Sequence, residues 1–387
     1  MKVLFCFLDM LRPDLLSLYG NKNHSTVDSF FEKLGGQVFT NCYTPGPDTP
    51  RSTACMLTGL YPNENGCNAR VKYPEFFLKE NVKTFFDYLQ LNNIKIKIYL
   101  DKYNRDIGFL PKGYNNDEYV QGSDSIIQEY LSNYQSNDNS FTFLYFPDFH
   151  NVVMDNAYSF ETPKKGLKKV NEILTILDNK ISFNEYDYTF FVSDHGYTLK
   201  KDNKKHVLDS HRSRVLLFIH KKNDNNITYI NKLCSTIDFS VTILNLYGVN
   251  QIKTEGIDLF TKDEHEYILL EDHSDFSVNI HQCIEKYAVI TKTSKYFTDV
   301  SGKWSTNDVN FSKEKQTYFE KLLKDKMTDY EKNCFLYERL QFYNRFPFVK
   351  YNSDGTLRKK SLKLRIKQSK FFEILKKIMY PFVRYFI

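Results

Sequence analysis

Three observations predict an α/β fold, a three-layer α/β/α core around a mainly parallel sheet, for this chain of 387 residues. Apolar, β-rich runs alternate with helix-patterned segments through the first two thirds of the sequence; several of these runs are apolar almost without a break; and polar clusters follow directly on three of them. Strands of a parallel sheet are buried on both faces and so lose the in-out alternation, while the crossover helices cover those faces.

Taken in order, residues 3–8 predict a strand, residues 26–34 a helix, residues 37–42 a strand, and residues 51–60 the start of a second helix. Residues 84–91 and 94–100 give a helix and then a strand. Residues 141–146, 188–192 and 215–219 are short apolar runs expected of central strands, and residues 167–177 have helical spacing. From about residue 262 the pattern changes to short strands at 267–270, 287–291 and 295–298, followed by a charged helix at 313–325. The expected organisation is a catalytic domain over residues 1–262, a smaller C-terminal α+β subdomain over 263–350, and a tail over 351–387 entered through the turn-like stretch NSDGT.

Composition excludes several classes. With 41% hydrophobic and 26% charged residues, 15 Gly and 11 Pro, collagen-like, low-complexity and wholly disordered readings fail. The 16% aromatic content reads as base composition rather than mechanism. Seven scattered cysteines (Cys6, Cys42, Cys55, Cys67, Cys234, Cys283, Cys334) without a C-x-x-C pair predict free thiols in a reducing compartment. The opening apolar run stops at Asp9, too short to span a membrane and without a cleavage site, so a cytoplasmic location is expected.

Charge is concentrated at the end. Residues 358–387 hold ten basic residues and one acid, Glu373, whereas the body before them is slightly acidic. Within 367–380, Phe371, Phe372, Ile374, Leu375, Ile378 and Met379 share a broad face until Pro381 ends the helix. Such a basic amphipathic end fits an anionic membrane surface, here the inner face of the cytoplasmic membrane. Docking on the protein's own core or on a second copy in a homodimer is the alternative; nucleic acid is disfavoured because the body offers no basic stripe or motif.

The chemistry is expected where strands end. Asp9 in FCFLDMLRPD, Thr49 in PGPDTPRSTACMLTG and Asp194-His195 in FFVSDHG each follow a predicted strand. Gathered at one sheet edge, two carboxylates, an imidazole and a hydroxyl would make an N/O site for one divalent metal, with the hydroxyl activated by coordination. Taken singly, an Asp that ends a strand is more often a helix cap, and Thr49 alone would read as an N-cap.

The blocks LDMLRPDLLSLYG, STVDSFFEKLGGQVFTNCYTPGPDTP, RSTACMLTGLYPNENG, FLYFPDFHN, FVSDHG, KKHVLDSHRSRVLLFIH, CSTIDFSVTILNLYGV and GIDLF occur in this order over about the first 300 residues. That series resembles the sulfatase branch of the alkaline phosphatase superfamily and implies an alkaline-phosphatase-like core. The resemblance implies that Asp9, Asp194 and His195 are metal ligands and that Thr49 is a nucleophile touching the metal. It implies His150 as a proton donor to the leaving oxygen, and Lys205 and His206 as leaving-group contacts of which His206 is the catalytic candidate. Arg51 and Asp148 are placed on the substrate side, Asp148 doubling as ligand of a second metal that its spacing to His150 disfavours. His211 stands in a charged run where a solvated face is as good a reading, and His273 reads as structural.

Departures from that family set the reaction expected. Sulfatases of this branch form formylglycine from a Cys or Ser, which Thr49 cannot give, and Cys55 is six residues too far on. Asp9-Met10 stands for an Asp-Asp pair and Asp194-His195 for an Asp-Asn pair, which moves metal preference from calcium toward zinc or manganese. Thr53 stands where the family puts an Arg or His, leaving Arg51, Arg12 or a lysine to compensate substrate charge. One metal with a Thr nucleophile resembles the phosphoethanolamine and phosphoglycerol transferases and phosphodiesterases. The expectation is therefore transfer of a substituted phosphate from a phosphate-ester donor to a hydroxyl acceptor, on a cell-surface glycan or lipid-linked precursor. The alternatives are a phosphodiesterase or sulfuric-ester hydrolase, and a catalytically silent binding protein.

Overall fold

The computed structural model describes residues 1–67, 78–79, 81–100, 122–134, 139–155, 161–198, 202, 206, 208–249, 253–272, 286–299 and 303–327. Seven strands form the main sheet: β1 (Lys2–Leu8), β2 (Gly36–Tyr43), β3 (Lys95–Tyr99), β4 (Ser140–Phe146), β5 (Tyr188–Val192), β6 (Leu217–Lys221) and β7 (Ile227–Ser235). Their spatial order is β3-β4-β1-β5-β6-β2-β7. Every neighbouring pair is parallel except the two made by β6, which runs against both β5 and β2. The apolar run expected at 215–219 is thus a strand, but shifted and reversed. Its side chains are buried like those of its neighbours, so burial alone could not reveal its direction.

Helices cover both faces. They are α1 (Thr26–Leu34), α2 (Thr49–Thr58), α3 (Phe85–Leu91), α4 (Ser123–Ser132), α5 (Asp148–Asp155), α6 (Thr162–Lys180) and α7 (Asp238–Leu246). All seven residues of β1 are buried, and their alternation sorts the core. Leu4, Cys6 and Leu8 face α1, α4 and α6 through Phe31, Ile127, Leu174 and Leu177. Val3, Phe5 and Phe7 face α2, α3 and α7 through Met56, Phe85, Leu89 and Ile243. The abundant phenylalanines find their use here: Phe5 stacks on Phe143 and Phe190, with centroids 5.3 and 5.8 Å away, and meets Phe239 edge-on at 6.1 Å.

A second sheet, β8 (Ile268–Asp272), β9 (Lys286–Ile290), β10 (Lys295–Asp299) and β11 (Trp304–Thr306), is antiparallel in the order β11-β10-β9-β8. Helix α8 (Lys313–Lys326) lays Phe319 and Leu323 on Leu269, Tyr287 and Tyr296 of one face. The other face packs Leu270, Ala288 and Phe297 against Tyr43, Leu208 and Leu233 of the main body. The chain is therefore a mixed α/β protein with a large, mostly parallel sheet and a smaller antiparallel one. No helix among the described residues is long and apolar enough to cross a membrane. The five described cysteines, Cys6, Cys42, Cys55, Cys67 and Cys234, are buried and unbridged. The tail, Lys205 and His273 lie outside the described residues.

Candidate metal and nucleophile site

β1, β2, β4 and β5 all point their carboxyl ends at one edge of the sheet, and the four segments that leave them carry the polar groups. In open α/β sheets that edge is where ligands bind. Asp9 follows β1 and its N–H donates to the Phe146 carbonyl at the end of β4. Asp194 and His195 follow β5. Because β6 runs the other way, the segment entering it, with His211 and Arg212, returns to the same edge.

Asp9, Asp194 and His195 are buried, and one donor atom from each lies within 4.8 Å of the others. Asp194 Oδ1 accepts the Met10 N–H at 3.0 Å, which Met10 presents from a left-handed backbone, φ 61°. Tyr145 donates its hydroxyl to Asp9 Oδ2 across the β1–β4 pair. His195 Nδ1 lies 2.7 Å from the Gly196 carbonyl, which can only accept, so Nδ1 carries the proton and Nε2 presents its lone pair. Nε2 is 3.4 Å from Asp194 Oδ2, a buried oxygen with no hydrogen-bond partner. A fully buried carboxylate oxygen left in this state is costly unless a cation meets it. The donor set of two carboxylates and one imidazole fits a divalent ion. The Met10 side chain packs in the apolar core.

Thr49 is brought to the same place by α2. Asp48 caps that helix by accepting the Arg51 N–H, Pro50 sits in the first turn, and Gly59 closes the other end in the left-handed conformation, φ 70°. Thr49 Oγ1 lies 3.3 Å from His195 Nε2. Ser52 ties the helix to the metal loop by donating to the Asp194 carbonyl at 2.8 Å. Between Cys42 and Pro62 every residue is buried except Thr49 and Pro50, so the candidate nucleophile occupies the one opening in that stretch.

The helix N-terminus offers few backbone donors to an oxyanion. Pro50 has no N–H, that of Arg51 goes to Asp48 Oδ1 at 3.1 Å, and that of Ser52 goes to the Asp48 carbonyl at 2.9 Å. Its remaining contribution is the positive end of the helix dipole.

The other expected residues part company with the four. Arg51, expected on the substrate side, has a fully buried guanidinium that donates from Nε to Asp48 Oδ2 at 2.6 Å and pairs with Asp272 at 3.6 Å. Arg12 is likewise committed, to Asp14 at 2.6 Å and Asp202 at 2.7 Å. His206 stacks on Phe297, centroids 4.3 Å apart, and bonds Ser305 at 2.7 Å, which holds it on the small sheet. Asp148 opens α5 and accepts from Ser123; burial raises its pKa, and it is outside the metal-ligating group. His150 is on the first turn of α5, next to the strand end that pairs with Asp9, with Nδ1 3.4 Å from Asn151 Oδ1. His211 is buried rather than solvated; burial and then the Arg12 charge pull its pKa down to about 4, and Nε2 lies 3.2 Å from Thr198 Oγ1. Sequence reasoning missed Tyr145 and Ser52. The position of Tyr145 directly across β1 from the metal loop was a usable signal only once the β1–β4 pairing was known.

The Sulfatase family model matches residues 2–176. Among solved structures the chain is similar to a 2-O GAG sulfatase, with a TM-score of 0.66 and 16% identity over 85% of this chain and 93% of that one. It is similar to a protein solved with its substrate D-glucosamine-2-N,6-O-disulfate, with a TM-score of 0.61 and 15% identity over 85% and 98% of the two chains. It is also similar to the phosphonate monoester hydrolase of Agrobacterium radiobacter, with a TM-score of 0.58 and 13% identity over 92% and 99%. At these identities the likeness is one of fold. No curated protein matches the chain in sequence. Family match and fold are those of sulfatase-like ester hydrolases. Over residues 2–176 the chain matches the Sulfatase family model, and its fold is that of the sulfatases and phosphonate monoester hydrolases it is similar to.

Proposed function

We propose that this enzyme transfers or hydrolyses a substituted, singly charged phosphate ester through a phospho-Thr49 intermediate. The observation that carries the reading is the charge balance around Thr49. Asp9 and Asp194 bring two negative charges, which one divalent ion cancels. The neighbouring guanidinium groups are already paired with carboxylates: Arg51 with Asp48 and Asp272, Arg12 with Asp14 and Asp202, and Arg212 with the same Asp272. At position 53 a buried hydroxyl replaces the expected cation. Counted over the described residues alone, a monoanionic ester therefore adds one uncompensated charge and a dianionic phosphate monoester adds two. A unit-charge pair about 4 Å apart is worth roughly 4 kcal/mol at an effective dielectric of about 20, enough to select the monoanion.

The Thr49 hydroxyl gives up its proton to solvent as Oγ attacks phosphorus, forming the Thr–O–P bond while the ester P–O bond opposite it breaks. The leaving alkoxide takes a proton, for which His150 is the candidate donor. A hydroxyl acceptor, or water, then attacks the same phosphorus and releases Thr49. A divalent ion held by Asp9, Asp194 and His195, zinc or manganese ahead of calcium, would acidify the Thr49 hydroxyl and neutralise charge on the ester. Donor and acceptor are proposed to be a phosphate ester and a hydroxyl of a surface-glycan or lipid-linked precursor.

A second reading is favoured by the sulfatases among its structural neighbours. A sulfate monoester is also a monoanion and meets the same charge balance. The two are separated by assaying p-nitrophenyl phosphodiester, p-nitrophenyl sulfate and p-nitrophenyl phosphate with the zinc- or manganese-loaded protein. The diester should turn over fastest, and Thr49→Ala should lose that turnover. A preference for the sulfate would move the assignment to a sulfuric-ester hydrolase, and turnover of none of the three would point to a silent binding protein. The basic tail is proposed to hold the protein on an anionic surface; equal pelleting with phosphatidylserine vesicles before and after removal of residues 358–387 would end that part.

A further inference from the structure

We infer that Asp272, on the small sheet, is a positioning residue for the Thr49 nucleophile. The inference rests on the role of Thr49 proposed above. Asp272 is the last residue of β8 and is 2% exposed. Its two carboxylate oxygens hold two different arginines: Oδ1 lies 3.6 Å from Arg51 Nη2, and Oδ2 accepts from Arg212 Nη1 at 3.2 Å. Each arginine in turn grips the segment that presents Thr49. Arg212 Nη2 donates to the Pro47 carbonyl at 2.8 Å. Arg51 Nε donates to Asp48 Oδ2, the cap of α2, at 2.6 Å.

The adjoining backbone completes the clamp. Glu271 N–H donates to the Pro45 carbonyl at 2.8 Å, and Thr44 N–H to the Ser213 carbonyl at 2.9 Å. Gly46 lies so close to Arg51 that a Cβ there would stand 2.8 Å from the arginine's own Cβ. Pro45, Gly46, Pro47, Asp48 and Arg51 are thus all anchored on one buried ionic cluster, and Thr49 projects from it toward His195. Two arginines face two aspartates, Asp48 and Asp272, with buried Glu271 adding negative charge near Arg51. Removing the Asp272 charge takes away the carboxylate that both guanidinium groups share, and the strain falls on the loop that carries the nucleophile.

The consequence is specific. A displacement of the order of 1 Å at the nucleophile costs about a hundredfold in rate without removing any group that binds metal or ester. Asp272→Asn should therefore lower kcat on the p-nitrophenyl phosphodiester about a hundredfold, with KM and bound metal little changed, and Asp272→Glu should recover most of it. Arg212→Lys keeps a cation for Asp272 but gives up the forked contact that also reaches Pro47; it should lower kcat about tenfold and guards against an unfolded Asp272→Asn. Hydrogen exchange in residues 44–51 of the full-length, metal-loaded protein should quicken in both variants. Unchanged exchange and unchanged kcat in a folded variant overturn the inference, as does loss of bound metal in step with kcat. A wild type without turnover would sink the role of Thr49 instead, and the exchange rates would still decide whether Asp272 holds the loop.

Discussion

Thr49 and His195, separated by 146 positions in sequence, stand with Oγ1 and Nε2 3.3 Å apart. Nothing local brings them together: one opens a helix after β2 and the other follows β5, with β6 between those strands in the sheet. Their contact is a product of the topology, and it makes the alcohol and the ligand set a single unit.

That unit predicts the behaviour of Thr49→Ser. The hydroxyl and its reach to His195 are kept, so phosphodiester turnover should stay within about tenfold of wild type, whereas Thr49→Ala should fall by a thousandfold or more. Steady-state rates of the two variants, with intact mass to detect a phosphorylated residue 49, check this. Equal loss in both would mean that the hydroxyl is not what the reaction uses.

Asp194 should trade stability for metal. Its Oδ2 is buried without a hydrogen bond, close to the Asp9 carboxylate. In chelator, Asp194→Asn should stabilise the protein by roughly 1 to 2 kcal/mol, because a buried charge is removed while the amide oxygen can still accept from Met10. With zinc or manganese present the order should reverse. Thermal unfolding of both proteins under both conditions gives the answer, and a variant that gains as much from metal as wild type would count against Asp194 as a ligand.

The core should be least forgiving at Phe5. Its ring lies among Phe143, Phe190 and Phe239 and is wholly buried, so Phe5→Ala should cost about 3 to 5 kcal/mol. Denaturant titration reads the loss; a cost under about 1 kcal/mol would show that the three neighbouring rings close over the gap.

His220 supplies a pH dependence. Burial lowers its pKa, against a smaller opposing effect of its bond to the Gly35 carbonyl at 3.0 Å. The unfolded chain then takes up a proton at higher pH than the folded one. The stability contributed is complete above the unfolded value of about 6.5 and declines as pH falls toward the folded value. The melting temperature should drop more for wild type than for His220→Gln between about pH 7.5 and 5. Parallel curves would refute it.

Strands β1, β4 and β5 were legible in the sequence because burial on both faces leaves nearly unbroken apolar runs. Edge strand β7 was not: exposed Thr228, Tyr229 and Asn231 break its pattern until the chain reaches Leu233. Helix α5 was not among the expected helices, although its first residues stand in the quoted block FLYFPDFHN. In the site, Asp9, Thr49, Asp194 and His195 were readable because each stands after a strand within one of the ordered blocks that resemble the family, signals carried by contiguous sequence. The fate of Arg51 was not, since its partner Asp272 lies on a different sheet and only the folded chain shows that the guanidinium is already taken.

Solvent reaches the stretch from Cys42 to Pro62 only at Thr49 and Pro50. A reagent diffusing in meets the alcohol before any other group of that segment, and whatever bulk it carries must project outward, away from packed chain. Discrimination among large esters therefore falls to the surrounding loops. The turn bearing Thr49 can serve many of them unchanged, leaving chemistry and recognition free to evolve separately.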